Sequence, residues 1–157
     1  MKEIALTQGQ VVLIDDEDYP LVGGHRWWAQ KVGHTFYAGT SVRKADGRRT
    51  TLQMHRLIMP PPDGLQVDHI NGEGLDNRRA NLRIASRAEN QRNQRLHSNS
   101  TTGLKGVSRH KTSNTWQACI KVNRKTQHLG CFLTAEDAYA AYCAASVKYH
   151  GEFGRTA

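Results

Sequence analysis

The chain has 157 residues, enough to bury one ordinary core or two small ones joined by a linker. Hydrophobic residues make up 38% of it, and no run approaches the roughly 18 apolar residues that a membrane span needs. Three cysteines, Cys119, Cys131 and Cys143, form no C-x-x-C pair, which argues against a disulfide framework and a zinc knuckle. Residues 1–6 contain no apolar signal stretch, so we expect a reducing, cytoplasmic setting. The net charge of +8 favours a polyanion as partner.

The positive charge lies in two blocks. Residues 105–131 contain six basic side chains and no acid, and residues 77–95 contain six arginines against the single Glu89. Blocks of one sign are unusual on surfaces that bind nothing, so both predict contact with a nucleic acid. Two solvated basic faces remain the alternative.

Residues 1 to about 60 predict β structure. Short runs rich in Val, Trp, Tyr and Thr cover residues 11–14, 26–32, 35–42 and 51–59, with Gly and Asp between them. The acidic run 15–18 is predicted to be a solvated turn rather than a metal site. The prolines of 60–62 end this region, because proline donates no hydrogen bond to a sheet.

A hairpin and a helix are predicted next. Residues 65–70 and 82–85 read as short strands around a loop rich in Gly and Asn, and a polar helix follows from Arg87 to about Leu96. Ser86 and Glu89 have the spacing of a capping box at the start of this helix. Asn90 then lies in the first turn, with its side chain directed back towards the hairpin.

The segment 97–103 is small and polar, and we interpret it as a linker. Residues 116–122 then alternate apolar and polar side chains, as a half-buried strand does, and 126–132 reads as its partner. Thr134 opens a helix that ends near Gly151. We therefore expect a β-rich region with a core motif, 1–96 with the motif at 54–96, a linker, 97–103, and a second domain, 104–157.

Hydrolysis of a phosphodiester needs a metal to stabilise charge and a base to deprotonate water. Asp68 and His69 are a candidate metal ligand and a candidate base at one strand end. Neighbouring strand residues point to opposite faces, so Asp68 could reach a metal and His69 the water. Asn81 could fix the imidazole tautomer by accepting a hydrogen bond from its other ring nitrogen.

Three stretches resemble the HNH endonucleases, in the subgroup common among phage and intron-encoded homing enzymes. They are VDHING at 67–72, DNRRANLR at 76–83 and AENQ at 88–91. The resemblance implies a ββα-metal fold in which Asp68 and Asn90 bind one Mg²⁺ or Mn²⁺, His69 is the general base, and Asn81 orients it. Four arginines would then contact phosphates, Arg78, Arg79, Arg83 and Arg87, with exposed arginines that bind nothing as the alternative. His55 and Arg56 resemble an upstream pair of that subgroup, without an assigned role.

Residues 101–155 resemble the Apetala/ERF-type DNA-binding domain, through KGVS at 105–108, HLGCF at 128–132, AEDA at 135–138 and HGEF at 150–153. The resemblance implies a three-stranded sheet that enters the major groove, backed by one helix. Residues at or near reading positions are Lys105, Ser108, His110, Lys121 and His128, and phosphate contacts are Arg109, Arg124 and Lys125. Ser108 and His128 stand where plant members commonly have Arg and Trp, so their target sequence is not carried over.

The sequence as a whole predicts an α+β protein: a β region leading into the ββα-metal motif, then a three-stranded antiparallel sheet packed on one helix. We expect a monomeric, site-directed DNA endonuclease of the homing type that acts on double-stranded DNA, in the host bacterial cytoplasm if phage-encoded. The alternatives are a catalytically inert DNA-binding regulator and a general basic module that binds RNA or DNA.

Overall fold

The computed structural model describes residues 1–96 and 100–156, which form two compact units, Met1–Asn90 and Gln91–Ala157. The predicted linker at 97–103 falls partly on residues 97–99, which lie outside the described residues. Within the described ranges, no helix is long and apolar enough to cross a membrane.

The first unit opens with two small antiparallel sheets. Strand β1, Lys2–Ala5, pairs with β2, Val11–Ile14, and a short helix α1, Tyr19–Val22, follows. A three-stranded sheet then has the order β3-β4-β5, formed by Trp28–Val32, Thr35–Arg43 and Arg49–Gln53. The strands predicted at 11–14, 26–32 and 35–42 are confirmed within two residues at their ends.

The strand predicted at 51–59 is wrong beyond Gln53, because Met54–Ile58 forms the helix α2. This segment lacks the β-branched residues that stabilise a strand until its last position, and Met, Leu and Arg favour a helix. Met54, His55 and Ile58 are buried, a spacing that places them on one side of a helix. Two of these side chains, Met54 and Ile58, pack into the core of the unit.

A hairpin follows, formed by β6, Gln66–His69, and β7, Leu82–Ala85, in the register Asp68↔Arg83 and His69↔Leu82. Helix α3, Arg87–Asn93, comes next, and its capping box is confirmed. The amide of Glu89 donates to Oγ of Ser86 over 3.3 Å, and the amide of Ser86 donates to Oε2 of Glu89 over 2.7 Å. Both bonds fix where the helix begins, and so where Asn90 lies.

The acidic turn after β2, residues 15–18, binds the loop between β6 and β7 through Arg79. Asp18 is 2% exposed, and its Oδ1 lies 2.6 Å from a guanidinium nitrogen of Arg79. Oδ2 of Asp15 accepts the backbone amide of Arg79 over 2.8 Å. The prediction of a solvated turn is therefore wrong for Asp18, whose partner lies 61 residues away in sequence.

The second unit contains a three-stranded antiparallel sheet of order β10-β9-β8, formed by Lys125–Phe132, Trp116–Val122 and Val107–Arg109. Helix α4, Ala135–His150, packs on one face of this sheet through apolar side chains that include Ala118, Ile120 and Tyr142. Oγ1 of Thr134 accepts the amide of Asp137 at the start of α4. The predicted sheet with one helix is confirmed as an architecture.

Candidate active site

Asp68 lies on β6 opposite Arg83 on β7. Its carboxylate is 5% exposed, and Oδ2 accepts Nε of Arg83 over 2.9 Å, with a second guanidinium nitrogen at 2.8 Å. The strand register causes this pairing, because directly opposed residues of a hairpin present their side chains on the same face. A buried carboxylate is thus held in one orientation beside a positive charge.

Asn90 reaches the same face of the hairpin. Its Nδ2 donates to Oε1 of Gln66 over 3.0 Å. Gln66 precedes Asp68 by two residues on β6, so both side chains point to one face of the strand. The carboxylate of Asp68 and the amide of Asn90 therefore lie on one side of the hairpin.

His69 points to the opposite face and is 5% exposed. Its Nε2 lies 2.8 Å from Oδ1 of Asn77, a fully buried residue whose backbone amide donates to the carbonyl of Leu13. An amide oxygen only accepts hydrogen bonds, so Nε2 carries the hydrogen and donates it in this bond, and the neutral imidazole has its lone pair on Nδ1.

Two opposing effects set the basicity of this imidazole. Burial lowers the pKa of His69, because desolvation disfavours the charged ring. The hydrogen bond to Asn77 and the charges of Asp68 and Asp76 act in the opposite direction and offset part of that effect. The resulting pKa lies below the usual histidine value, so His69 is neutral at neutral pH.

Asn81 makes different contacts from the one expected. Its Oδ1 accepts the amide of Asn71 over 3.0 Å, and its Nδ2 donates to the carbonyl of Asp76 over 2.7 Å. The 3-10 turn Arg79–Asn81 directs this amide onto the loop after His69. Asn77 thus occupies the place beside the imidazole that the sequence analysis gave to Asn81, and Asn81 ties together the loop that carries Asn77.

Three of the four arginines predicted to contact phosphates pair with acids of this chain. Nε of Arg78 lies 2.7 Å from Oδ1 of Asp76, and Arg79 and Arg83 pair with Asp18 and Asp68 as described above. The Arg78 guanidinium lowers the pKa of Asp76. Arg87, the fourth, is exposed.

The residues predicted to read DNA in the second unit differ in exposure. Nζ of Lys105 donates to the carbonyls of Arg92 and Gln94 over 2.6 and 2.8 Å, and burial lowers the pKa of this lysine to about 8. Its amine therefore binds backbone at the end of α3. His110 is half-buried, and the remaining predicted residues are exposed: Ser108, Arg109, Lys121, Arg124, Lys125 and His128.

Sequence reasoning missed two contributors to the site. The sequence analysis assigns no role to Asn77 or to Tyr37, although the ring of Tyr37 lies 5.7 Å from that of His69. His55 was noted without a role, and its ring centroid lies 5.0 Å from that of His69. The Asp76-Asn77 pair beside the motif residues was a usable signal for Asn77, whereas nothing local in the sequence marks Tyr37.

Fold and site together define a small α+β protein in which a hairpin and the helix after it gather a carboxylate, an imidazole and amide side chains. A family model for HNH endonucleases matches residues 60–92, which cover this hairpin and most of α3. An uncharacterized HNH endonuclease of Acanthamoeba polyphaga mimivirus is 28% identical over 152 residues, covering 93% of this chain and 74% of that protein. Protein 3.8 of Escherichia phage T7 is 32% identical over 96 residues, which cover 61% of this chain and 78% of that protein. The chain belongs to the HNH endonuclease family.

Proposed function

We propose that this protein is a site-directed DNA endonuclease of the homing type that hydrolyses phosphodiester bonds with one divalent cation and His69 as general base. The observation that carries the proposal is the position of two neighbouring residues on β6. Asp68 faces the side where Gln66 holds Asn90, and His69 faces Asn77 on the other side. A carboxylate and a neutral imidazole are thereby held at one strand end, which suits metal-assisted hydrolysis.

Asp68 and Asn90 would hold the cation. A carboxylate and an amide oxygen are hard donors, which suit Mg²⁺ or Mn²⁺ better than zinc. Within residues 1–96 and 100–156, no group of three or more His, Cys, Asp or Glu side chains that could hold a metal ion is found. When bound, the cation would stabilise negative charge on the phosphate and on the leaving oxygen.

His69 would take the proton of the attacking water at Nδ1. The hydrogen bond from Nε2 to Asn77 selects the tautomer in which Nδ1 is basic, and the lowered pKa keeps that nitrogen unprotonated at neutral pH. Asn81 would act through the loop, since its amide bridges the backbone of Asn71 and Asp76 next to Asn77. We therefore propose Asn77 and Asn81 as positioning residues for the base.

The second unit would choose the DNA site. Its sheet carries exposed basic side chains on β9 and β10, Lys121 and Lys125, with Arg124 in the turn between these strands. A β-sheet face of this charge fits the major groove of double-stranded DNA. The Apetala/ERF resemblance of residues 101–155 supports the same role.

Incubating the purified protein with plasmid or phage DNA and Mg²⁺ tests the proposal. The wild type is expected to cut, leaving nicks if a single site acts alone, whereas His69→Ala, Asp68→Ala and Asn90→Ala are expected to lose cutting. These three variants should keep most of their DNA affinity, because they remove transition-state stabilisation and few DNA contacts.

Two results would count against the proposal. Equal behaviour of wild type and His69→Ala, with no metal-dependent nicks, would leave a protein that only binds DNA. A cutting activity that survives both Asp68→Ala and Asn90→Ala would place the cation elsewhere. Lys44→Ala, an exposed substitution in the turn between β4 and β5, serves as the matched control.

A further inference from the structure

His55, Tyr37 and His69 form a cluster of three rings. The ring centroids of His55 and His69 lie 5.0 Å apart with an interplanar angle of 83°. Tyr37 contacts both, at 5.5 Å from His55 and 5.7 Å from His69, with angles of 62° and 61°. All three contacts are edge-to-face, the arrangement that aromatic rings favour. The imidazole of His69 is thus bounded by two rings that come from α2 and β4.

His55 behaves in this cluster as an uncharged ring. It is 7% exposed, and its Nδ1 is buried without a hydrogen-bond partner in the described part of the chain. Burial and the neighbouring His69 lower the pKa of His55 to about 3, so its ring is uncharged at neutral pH. A buried nitrogen without a partner costs stability. What His55 supplies to its neighbours is therefore the shape of a planar ring.

Tyr37 is held in place by the loop that follows His69. The amide of Gly74 donates to Oγ1 of Thr35 over 3.1 Å. A Cβ atom at Gly74 would lie 2.5 Å from the carbonyl oxygen of Phe36 and 2.6 Å from the Tyr37 ring. The close approach needs a glycine, since any side chain would meet backbone. The loop around Gly74 therefore packs against Tyr37, and Tyr37 packs against His69.

We propose that His55 and Tyr37 are positioning residues whose rings hold the His69 imidazole in the orientation that presents Nδ1 to the attacking water. Asn77 fixes which nitrogen carries the proton, and the two rings fix where the imidazole plane lies. A planar base that can rotate about its side-chain bonds needs both constraints to keep one nitrogen on its target. The role rests on the proposed function, because it acts through the base assigned there.

A matched pair of substitutions tests the role. His55→Phe keeps the ring and removes the nitrogens, whereas His55→Leu keeps similar volume and removes the ring. With the full chain, plasmid DNA and Mg²⁺ under single-turnover conditions, we expect His55→Phe to cut at close to the wild-type rate. His55→Leu is expected to cut about 10 to 100 times more slowly, since a misplaced catalytic group can cost roughly 100-fold. DNA affinity should be unchanged in both.

The same comparison at Tyr37 gives an independent route, with Tyr37→Phe expected to retain the rate and Tyr37→Leu to lose it. Ile58→Val, a buried change on the same helix as His55, controls for lost stability and should leave the rate unchanged. The side-chain nitrogen NMR resonances of His69 provide a readout without DNA. One set typical of protonated Nε2 is expected in wild type and His55→Phe, with averaged or shifted resonances in His55→Leu.

The outcomes separate this inference from the proposed function. Equal rates for wild type and His55→Leu, or unaltered His69 resonances in that variant, would overturn the positioning role. An equally slow His55→Phe would also overturn it, because a ring nitrogen of His55 would then be needed. Failure of the wild type to cut any DNA with Mg²⁺ would instead refute the proposed function, and the NMR comparison would still decide whether the rings hold His69.

Discussion

Replacing Asn77 by alanine removes the atom that accepts the proton on Nε2 of His69, and we expect it to slow cutting while DNA binding persists. Oδ1 of Asn77 lies 2.8 Å from that nitrogen, and the whole residue is buried. The imidazole therefore loses the contact that favours the tautomer with its lone pair on Nδ1.

The size of the effect follows from the energy of that hydrogen bond. Leaving a buried donor unpaired costs about 1–3 kcal/mol, and about 1.4 kcal/mol corresponds to a tenfold change in an equilibrium. The population of the productive tautomer should fall about 5- to 150-fold, and the cutting rate should fall by the same factor. The free energy of unfolding should fall by a similar amount, about 1–3 kcal/mol.

Asn77→Asp and Asn77→Ala should shift the pKa of His69 in opposite directions. A carboxylate at the same place still accepts from Nε2, and its charge favours the imidazolium, so the pKa of His69 should rise. A general base acts in its unprotonated form, so the acid limb of the rate profile should move to higher pH, with a plateau near that of the wild type. Asn77→Ala should move the limb to lower pH, since the hydrogen bond to Asn77 raises the pKa of His69.

Single-turnover cutting of plasmid DNA with Mg²⁺, measured across a series of pH values, checks both variants. DNA affinity is measured separately without divalent cation. Thr40→Val provides the control, because it removes another buried side-chain hydrogen bond of the same unit, from Oγ1 to the carbonyl of Arg26. If Asn77→Ala cuts like Thr40→Val at every pH, the tautomer argument is refuted.

The remaining predictions concern the charged residues. Arg83→Met removes the guanidinium beside the buried Asp68 and should cost about 3–5 kcal/mol of stability in urea denaturation without metal. Mg²⁺ should stabilise this variant more than the wild type, and an equal gain would contradict cation binding at Asp68. Lys121→Ala should weaken DNA binding and reduce the slope of log affinity against log salt by about 1. Lys105→Ala should instead lower stability with little change in that slope, and the reverse pattern would show that Lys105 is a DNA contact.

Elements with a local signal were predictable from the sequence. The capping box of Ser86 and Glu89 fixed the start of α3, and the alternation at 116–122 identified both the strand β9 and its buried face. The strand predicted at 51–59 is wrong in its second half, because burial of Met54 and Ile58 in the core of the first unit favours a helix there. Tertiary packing overrides a short apolar run of ambiguous period.

The proposed site divides in the same way. Asp68, His69 and Asn90 could be selected because hairpin register and a helix cap determine their directions, and both are local features. The partner of His69 could not be selected, since Asn77 and Asn81 lie in one loop and the 3-10 turn between them decides which amide meets the ring. Tyr37 lies 32 residues before His69 on another sheet, so the contact between their rings arises from tertiary packing and has no local signal in the sequence.

The arginines show why charge counted along a sequence overestimates the charge available to a ligand. The block 77–95 carries six arginines and one acid, yet Arg79 and Arg83 pair with acids that lie outside it, Asp18 and Asp68, and Arg78 pairs with Asp76 at its border. Pairing of this kind cancels local charge and fixes the side chain, so these three arginines hold the loop and the carboxylate of the proposed site in place. Attraction to phosphates then depends on basic residues without such acids nearby in sequence. The stretch 105–131 has six basic residues and no acid. Five of the six remain for DNA, because Lys105 binds backbone carbonyls. We therefore expect salt to act on DNA binding mainly through the second unit, while substitutions of Arg79 and Arg83 act mainly on stability.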